Sequence, residues 1–187
     1  MSVIAEASNG REAVKLCRKL TPQVVIIDVS MPDLNGIEAT KQILKIKPSI
    51  KVIALSMYSS KQFIQAMFMA GAYGYLIKDG DSEELIQAIE TVVRNKKYLT
   101  QSIDQKYLYE VKKGNDIVEV ELSGREKEVL QMIAEGKSSK EIGDILFLSS
   151  KTIDVHRNNI MKKINLFSIP ELTKYAIKKG LTSLDFE

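Results

Sequence analysis

Residues 24–36 read VVIIDVSMPDLNG, and this stretch decides the fold of the first half of the chain. Val24-Val25-Ile26-Ile27 is a run of four β-branched residues, too short for a helix and apolar on both faces. Such a run reads as a central parallel strand covered on both sides. Asp28 ends it and so brings a carboxylate to the carboxyl edge of the sheet, where open α/β folds bind ligands. From Gly36, the positions Ile37, Thr40, Ile43, Leu44 and Lys47 carry a helix that stops before Pro48.

The same alternation continues outward. Upstream, Val3-Ile4-Ala5-Glu6-Ala7 is a short strand candidate, and Asn9 caps a helix with apolar positions at Ala13, Val14, Cys17 and Leu20. Downstream, strands are expected at Lys51–Leu55 and Tyr73–Ile77, and a helix through Phe63, Ile64, Met67 and Ala70. A last helix runs through Leu85, Ile86, Ile89, Val92 and Val93, capped by Asp81 or Ser82. Alternating strands and helices with short connections make a doubly wound α/β sheet over residues 1–99.

Residues 100–121 carry Gly114-Asn115-Asp116 and no sustained period, so they read as a linker with a helical stretch near Ile103 to Val111. Residues 122–187 are purely helical. Four helices open at Ser123, Ser138, Ser149 or Ser150, and Ser168, the first with Glu126 placed to complete a capping box.

Composition narrows the function. There are 27 basic and 24 acidic residues among 187, a net charge of +3, with one cysteine and one histidine. That excludes a disulfide framework and a Cys- or His-rich metal centre. No apolar run approaches the ~18–20 residues of a membrane span, and the first residues lack the pattern of a signal peptide. A cytoplasmic location is expected. No glycine-rich phosphate loop, HExxH or Ser-His-Asp set supports a metabolic enzyme, and Cys17 lies in an apolar stripe, which suits a core residue.

The third C-terminal helix holds Lys151, Arg157, Lys162 and Lys163 against the single acid Asp154. A solvated basic face would look like this. So would a helix that enters a major groove, where cations meet phosphates and mixed donors and acceptors read bases. The tight Phe147-Leu148-Ser149 connection fits a helix-turn-helix. The order Leu122-Ser123-Gly124-Arg125-Glu126, Ala134-Glu135-Gly136, Ser139-Lys140-Glu141-Ile142 and Lys151-Thr152-Ile153-Asp154-Val155-His156-Arg157-Asn158-Asn159-Ile160 closely resembles the NarL/LuxR-type DNA-binding domain. The resemblance implies base contacts from Asp154, Val155 and Asn158, and phosphate contacts from Lys151, Thr152, Arg157 and Asn159. It also implies a homodimer through the helix from Ser168 to Lys179, where Tyr175 and Ala176 suit either the dimer face or the core.

Asp28, Ser56 and Lys78 close three strands of the first half. On spacing they are either structural caps and an ion pair or a set that handles a phosphoryl group, with the carboxylate as nucleophile. Their order resembles the receiver domain of response regulators. Asp28 with Met31-Pro32-Asp33-Leu34-Asn35-Gly36 matches its phosphoacceptor loop, Ala54-Leu55-Ser56 its switch hydroxyl, and Gly74-Tyr75-Leu76-Ile77-Lys78 its switch aromatic and lysine. The implied chain is a transcription regulator of a two-component system, phosphorylated on Asp28 by a sensor histidine kinase and bound to double-stranded DNA. In the family's mechanism the phosphoryl group pulls Ser56 inward and reorients Tyr75, freeing the DNA-binding domain.

One part of the receiver pattern is missing. The chain starts at what would be the second strand, so the fold implied is a flavodoxin-like receiver truncated at its N-terminus, followed by a four-helix LuxR-type domain. The acidic pair that helps hold Mg²⁺ in the family is absent, and Glu6 lies on the wrong strand to replace it. Asp28 and the main-chain carbonyl of Ser30 leave an incomplete site for an ion that wants octahedral oxygen ligands. Weak or absent Mg²⁺ binding and impaired phosphorylation are expected. Residues 3–7 are expected to re-pair against Val24–Ile27, to pair with another chain, or to stay loose, with apolar surface exposed on the helices that lost a partner. The alternative function is a degenerate receiver that dimerises or binds a partner without accepting phosphate.

Overall fold

The computed structural model describes residues 1–101, 103 and 122–183. They divide into two compact units, with the division near residue 115. The helical stretch expected near Ile103 to Val111, and most of the linker, lie outside the described residues.

The N-terminal unit alternates α1 (Gly10–Leu20), β1 (Val24–Asp28), α2 (Gly36–Ile46), β2 (Lys51–Ser56), α3 (Lys61–Met69), β3 (Gly74–Ile77), α4 (Ser82–Val93) and β4 (Tyr98–Leu99). The strands form one parallel sheet in the order β1-β2-β3-β4. Val24 lies opposite Lys51, Ile53 opposite Gly74, and Gly74 opposite Tyr98. Three helices start as their caps dictate: Asn9, Asn35 and Asp81 accept from the amides of Glu12, Glu38 and Glu84. β4 was not legible, since two residues show no periodicity.

Helix α4 lays Ala88 and Val92 on Ile53 and Leu76, with Val24, Leu55 and Tyr98 around them. Side chains alternate along a strand, so Ile26 shares Val24's face. It lies beyond the reach of α4 and is 42% exposed. β1 is therefore the edge of the described sheet, which corrects the reading of Val24–Ile27 as a strand covered on both sides. Residues 3–7 form no strand and are exposed, so they do not re-pair with it. Exposed apolar side chains of this unit include Val3, Ile4, Leu20, Ile26, Met69 and Ile86. The stripe of α1 is satisfied in part: Ala13, Val14 and Cys17 are buried and α1 packs on α2, while Leu20 stays exposed. Burial also pushes the Cys17 thiol pKa up, as a core residue requires.

One glycine is needed where the sheet edge meets α2. A Cβ on Gly36 would lie 2.1 Å from the carbonyl oxygen of Asp28, and the Gly36 amide donates to the carbonyl of Val29 at 2.9 Å. The helix can thus start directly against the strand end that carries Asp28.

The C-terminal unit contains α5 (Gly124–Ala134), α6 (Ser139–Leu146), α7 (Ser150–Ile164) and α8 (Ile169–Lys178). Val129, Leu130, Met132, Ile142, Ile153, Ile160, Leu172 and Ala176 close its core. Ser123, Ser138 and Ser168 each form a full capping box, with Glu126, Glu141 and Glu171. Ala176 is fully buried and Tyr175 half-buried against the same core, so α8 uses both inward. The apolar side chains it leaves outside are Phe167 just before it and Ile169.

Candidate functional site

The carboxyl edge of the sheet brings the three expected groups together. Asp28 Oδ1 accepts from the Ser30 amide at 3.1 Å, and Oδ2 meets Lys78 Nζ at 2.5 Å. Lys78 directly follows β3, and its amide donates to the carbonyl of Ser56 at 2.9 Å. β2 lies between β1 and β3, so Ser56 ends the strand between those that deliver Asp28 and Lys78. A nucleophilic carboxylate with an ammonium beside it suits transfer of an anionic group, because the cation offsets charge that accumulates there.

Behind this edge the Ser56 hydroxyl is buried and accepts from the Tyr58 amide at 3.0 Å. Tyr75 is fully buried and donates its phenol proton to the Tyr58 carbonyl at 2.7 Å. Its pKa is pushed up to about 12, chiefly by burial; the bond to Ser56 opposes this and the Asp28 charge adds to it. The expected switch aromatic is thus already turned inward. The part played by Tyr58 was missed, because it contributes main-chain atoms that any residue type carries.

A divalent cation fits this edge poorly. Asp28 is the carboxylate at hand, its oxygens face an ammonium and an amide, and what Ser30 presents to it is an N–H. Among the described residues no group of three His, Cys, Asp or Glu side chains is arranged to hold a metal.

In the C-terminal unit, α6 and α7 meet at a tight corner. Phe147 takes the left-handed conformation at φ 56° and is 93% exposed. A Cβ on Gly143 would lie 2.6 Å from the Leu148 carbonyl, so this corner closes only over a glycine. Arg125 fastens it from α5, donating to the Leu146 carbonyl at 3.1 Å and pairing with Glu128 at 3.0 Å.

Helix α7 turns Ile153 and Ile160 inward. Lys151, Val155, Asn158, Asn159 and Lys162 are exposed at spacings that keep them on one face. Thr152, Asp154, His156 and Arg157 are half-buried. Thr152 is tied to the cap, its hydroxyl 2.8 Å from that of Ser149. Lys163 does not belong to the basic face: it reaches Glu126 at 2.8 Å. Asp154 Oδ1 accepts from the Ser139 hydroxyl at 2.7 Å and pairs with Arg157 at 3.4 Å. Nothing in the sequence pairs Ser139 with Asp154 or Glu126 with Lys163, since both contacts cross between helices. No helix among the described residues is long and apolar enough to span a membrane.

Comparison with known proteins agrees with both halves. Residues 1–90 match the response regulator receiver domain, and residues 120–176 match the bacterial regulatory proteins of the luxR family. The chain is 38% identical to the oxygen regulatory protein NreC of Staphylococcus carnosus over 195 residues, covering 100% of this chain and 88% of that protein. It is 34% identical to the transcriptional regulatory protein MctR of Rhizobium johnstonii, covering 98% of this chain and 84% of that one. RcsB of Salmonella enterica serovar Typhimurium, solved on the rprA promoter with the phosphomimetic BeF3⁻, superposes with a TM-score of 0.56. It is 26% identical, over 93% of this chain and 84% of that one. A receiver domain and a luxR-type domain on one chain define a DNA-binding regulator of two-component signalling. The chain belongs to the LuxR family of response regulators.

Proposed function

We propose that the chain carries its signal on Asp28 and reads DNA with α7. A sensor histidine kinase is the expected phosphoryl source, and Ser56, Tyr75 and Lys78 are the groups that hold and sense the phosphoryl oxygens. The observation that supports this is the meeting of Asp28, Ser56 and Lys78 at one sheet edge. Lys151, Thr152, Arg157 and Asn159 contact phosphates, while Val155 and Asn158 lie at base edges with Asp154 beside them. The functional division is a receiver over residues 1–99, a linker over 100–121 and a reader over 122–187. The protein works in the cytoplasm as a homodimer, since one such unit spans a half-site, and it has no enzymatic task.

A second reading is supported by the poor cation fit. Without Mg²⁺, carboxylate attack on a phosphoryl group has its charge offset by Lys78 alone, so on this reading the chain accepts phosphate slowly. Its first unit then serves as a dimerisation or partner-binding module. Intact mass after treatment with acetyl phosphate and Mg²⁺, beside Asp28→Asn, separates the two. An added phosphoryl group that is lost in the variant supports control through Asp28, and no addition supports the module. DNA reading is tested with a duplex selected from a random pool: Arg157→Ala and Lys151→Ala should weaken binding and flatten its salt dependence. Unchanged binding by both would remove α7 as the reader.

A further inference from the structure

We infer that Asp154 reads no base itself: with Ser139 it is a positioning residue that sets the side chain of Arg157. This rests on α7 being the reader. Asp154 and Arg157 are three residues apart and so share a helix face. Arg157 Nη2 lies 3.4 Å from Asp154 Oδ1, and the same oxygen accepts from Ser139 Oγ at 2.7 Å. Ser139 is the first residue of α6, so the bond crosses the helix-turn-helix and ties the reader to the helix before it.

The chemistry favours a holding role over a reading one. Lys151, Asn158, Asn159 and Lys162 make the exposed face of α7 one that phosphates approach, and a bare carboxylate there would repel them. Pairing with Arg157 offsets that charge locally. Both Ser139 and Arg157 meet the same Asp154 oxygen, Oδ1, so the carboxylate is already oriented toward protein groups. An arginine side chain is also flexible, and fixing it before contact reduces the ordering that binding requires. Ser138 and Ser139 divide the work at the start of α6. Ser138 supplies the helix cap with Glu141, which leaves the Ser139 hydroxyl for Asp154. Replacing Ser139 therefore leaves the cap intact.

The test uses the full chain on the selected duplex and on an unrelated duplex of equal length, over a range of salt. The variants are Ser139→Ala, Asp154→Ala, Asp154→Asn, Arg157→Ala and the Ser139→Ala/Asp154→Ala double, with thermal melts confirming that each folds. Ser139→Ala and Asp154→Ala should each weaken binding to the selected duplex by roughly threefold to tenfold, and the double variant no further than Asp154→Ala alone. They should weaken binding to the unrelated duplex alike, as Arg157→Ala does, because a phosphate contact carries no base preference. Asp154→Asn keeps an acceptor for Ser139 and should recover part of the affinity. A silent Ser139→Ala beside an Asp154→Ala that changes the base preference would overturn the inference, because Asp154 would then be reading directly. Wild-type affinity in both variants, with Arg157→Ala impaired, would also overturn it while leaving α7 as the reader. Wild-type binding by Arg157→Ala would remove the premise.

Discussion

Tyr75 donates its phenol proton to the main-chain carbonyl of Tyr58 at 2.7 Å, while the Tyr58 amide donates to Ser56. The main chain of Tyr58 thus links the Ser56 hydroxyl to the Tyr75 phenol. In the function proposed above, a movement of Ser56 toward a phosphoryl group would reach Tyr75 through Tyr58, with the ring already buried.

The first prediction concerns alkaline pH. Tyr75 keeps its proton to about 12 in the folded chain, against an ordinary value of 10.0. Its contribution is present below the unfolded value and is lost as pH rises toward the folded one. Tyr75→Phe should cost about 1 kcal/mol at neutral pH through the lost hydrogen bond. The variant should also lose less stability than the parent on going above pH 10.0. Denaturant titrations across that range check both signs.

Gly36→Ala should destabilise the N-terminal unit by about 1–3 kcal/mol, since the added carbon meets main-chain atoms rather than a side chain that can move. The new Cβ would sit 2.1 Å from the Asp28 carbonyl, so the strand end must shift. A urea titration measures the loss, and transfer from acetyl phosphate should fall with it wherever the parent shows any.

The capping boxes set an acid limit. Burial pushes the Glu126 pKa up, yet the bonds from Lys163 and Ser123 outweigh this and hold it below the ordinary 4.5. Hydrogen bonds from Ser138 and Ser168 likewise lower Glu141 and Glu171. Carboxylates with lowered folded values stabilise above the unfolded value, and that stability disappears as pH falls through the folded one. Melting of the helical unit should therefore drop steeply below 4.5. Glu126→Gln should melt lower at neutral pH and show a shallower acid drop.

Phe147→Gly should stabilise the C-terminal unit by about 0.5–1 kcal/mol, because a left-handed residue at a helix end costs a Cβ penalty that glycine escapes. With 93% of Phe147 exposed, little packing is lost. Unchanged or lower melting would show that the side chain is held by contacts of its own.

The sequence carried the features that depend on near neighbours. The serine caps, the runs of strand residues and the ends of strands that deliver Asp28, Ser56 and Lys78 follow from local order and topology. What it hid depends on distance in the chain. Ile26 looks like any core isoleucine until the helix that fails to cover it is known. Lys163 looks like a member of the basic face, yet Glu126, on another helix, takes it away. The Ser139 bond to Asp154 likewise depends on how α6 crosses α7, which no spacing within either helix expresses.

The edge position of β1 has a consequence for the time Asp28 spends in place. Val29 donates to the Leu55 carbonyl, and the twofold alternation of a strand turns Val25 and Ile27 the same way. The amides of Val24, Ile26 and Asp28 face the other side, where no described strand lies. Their hydrogens should exchange with solvent orders of magnitude faster than that of Ile27. Among the described residues Asp28 is thus carried by a strand gripped along one margin, so β2 and the Gly36 junction are what hold its carboxylate in position.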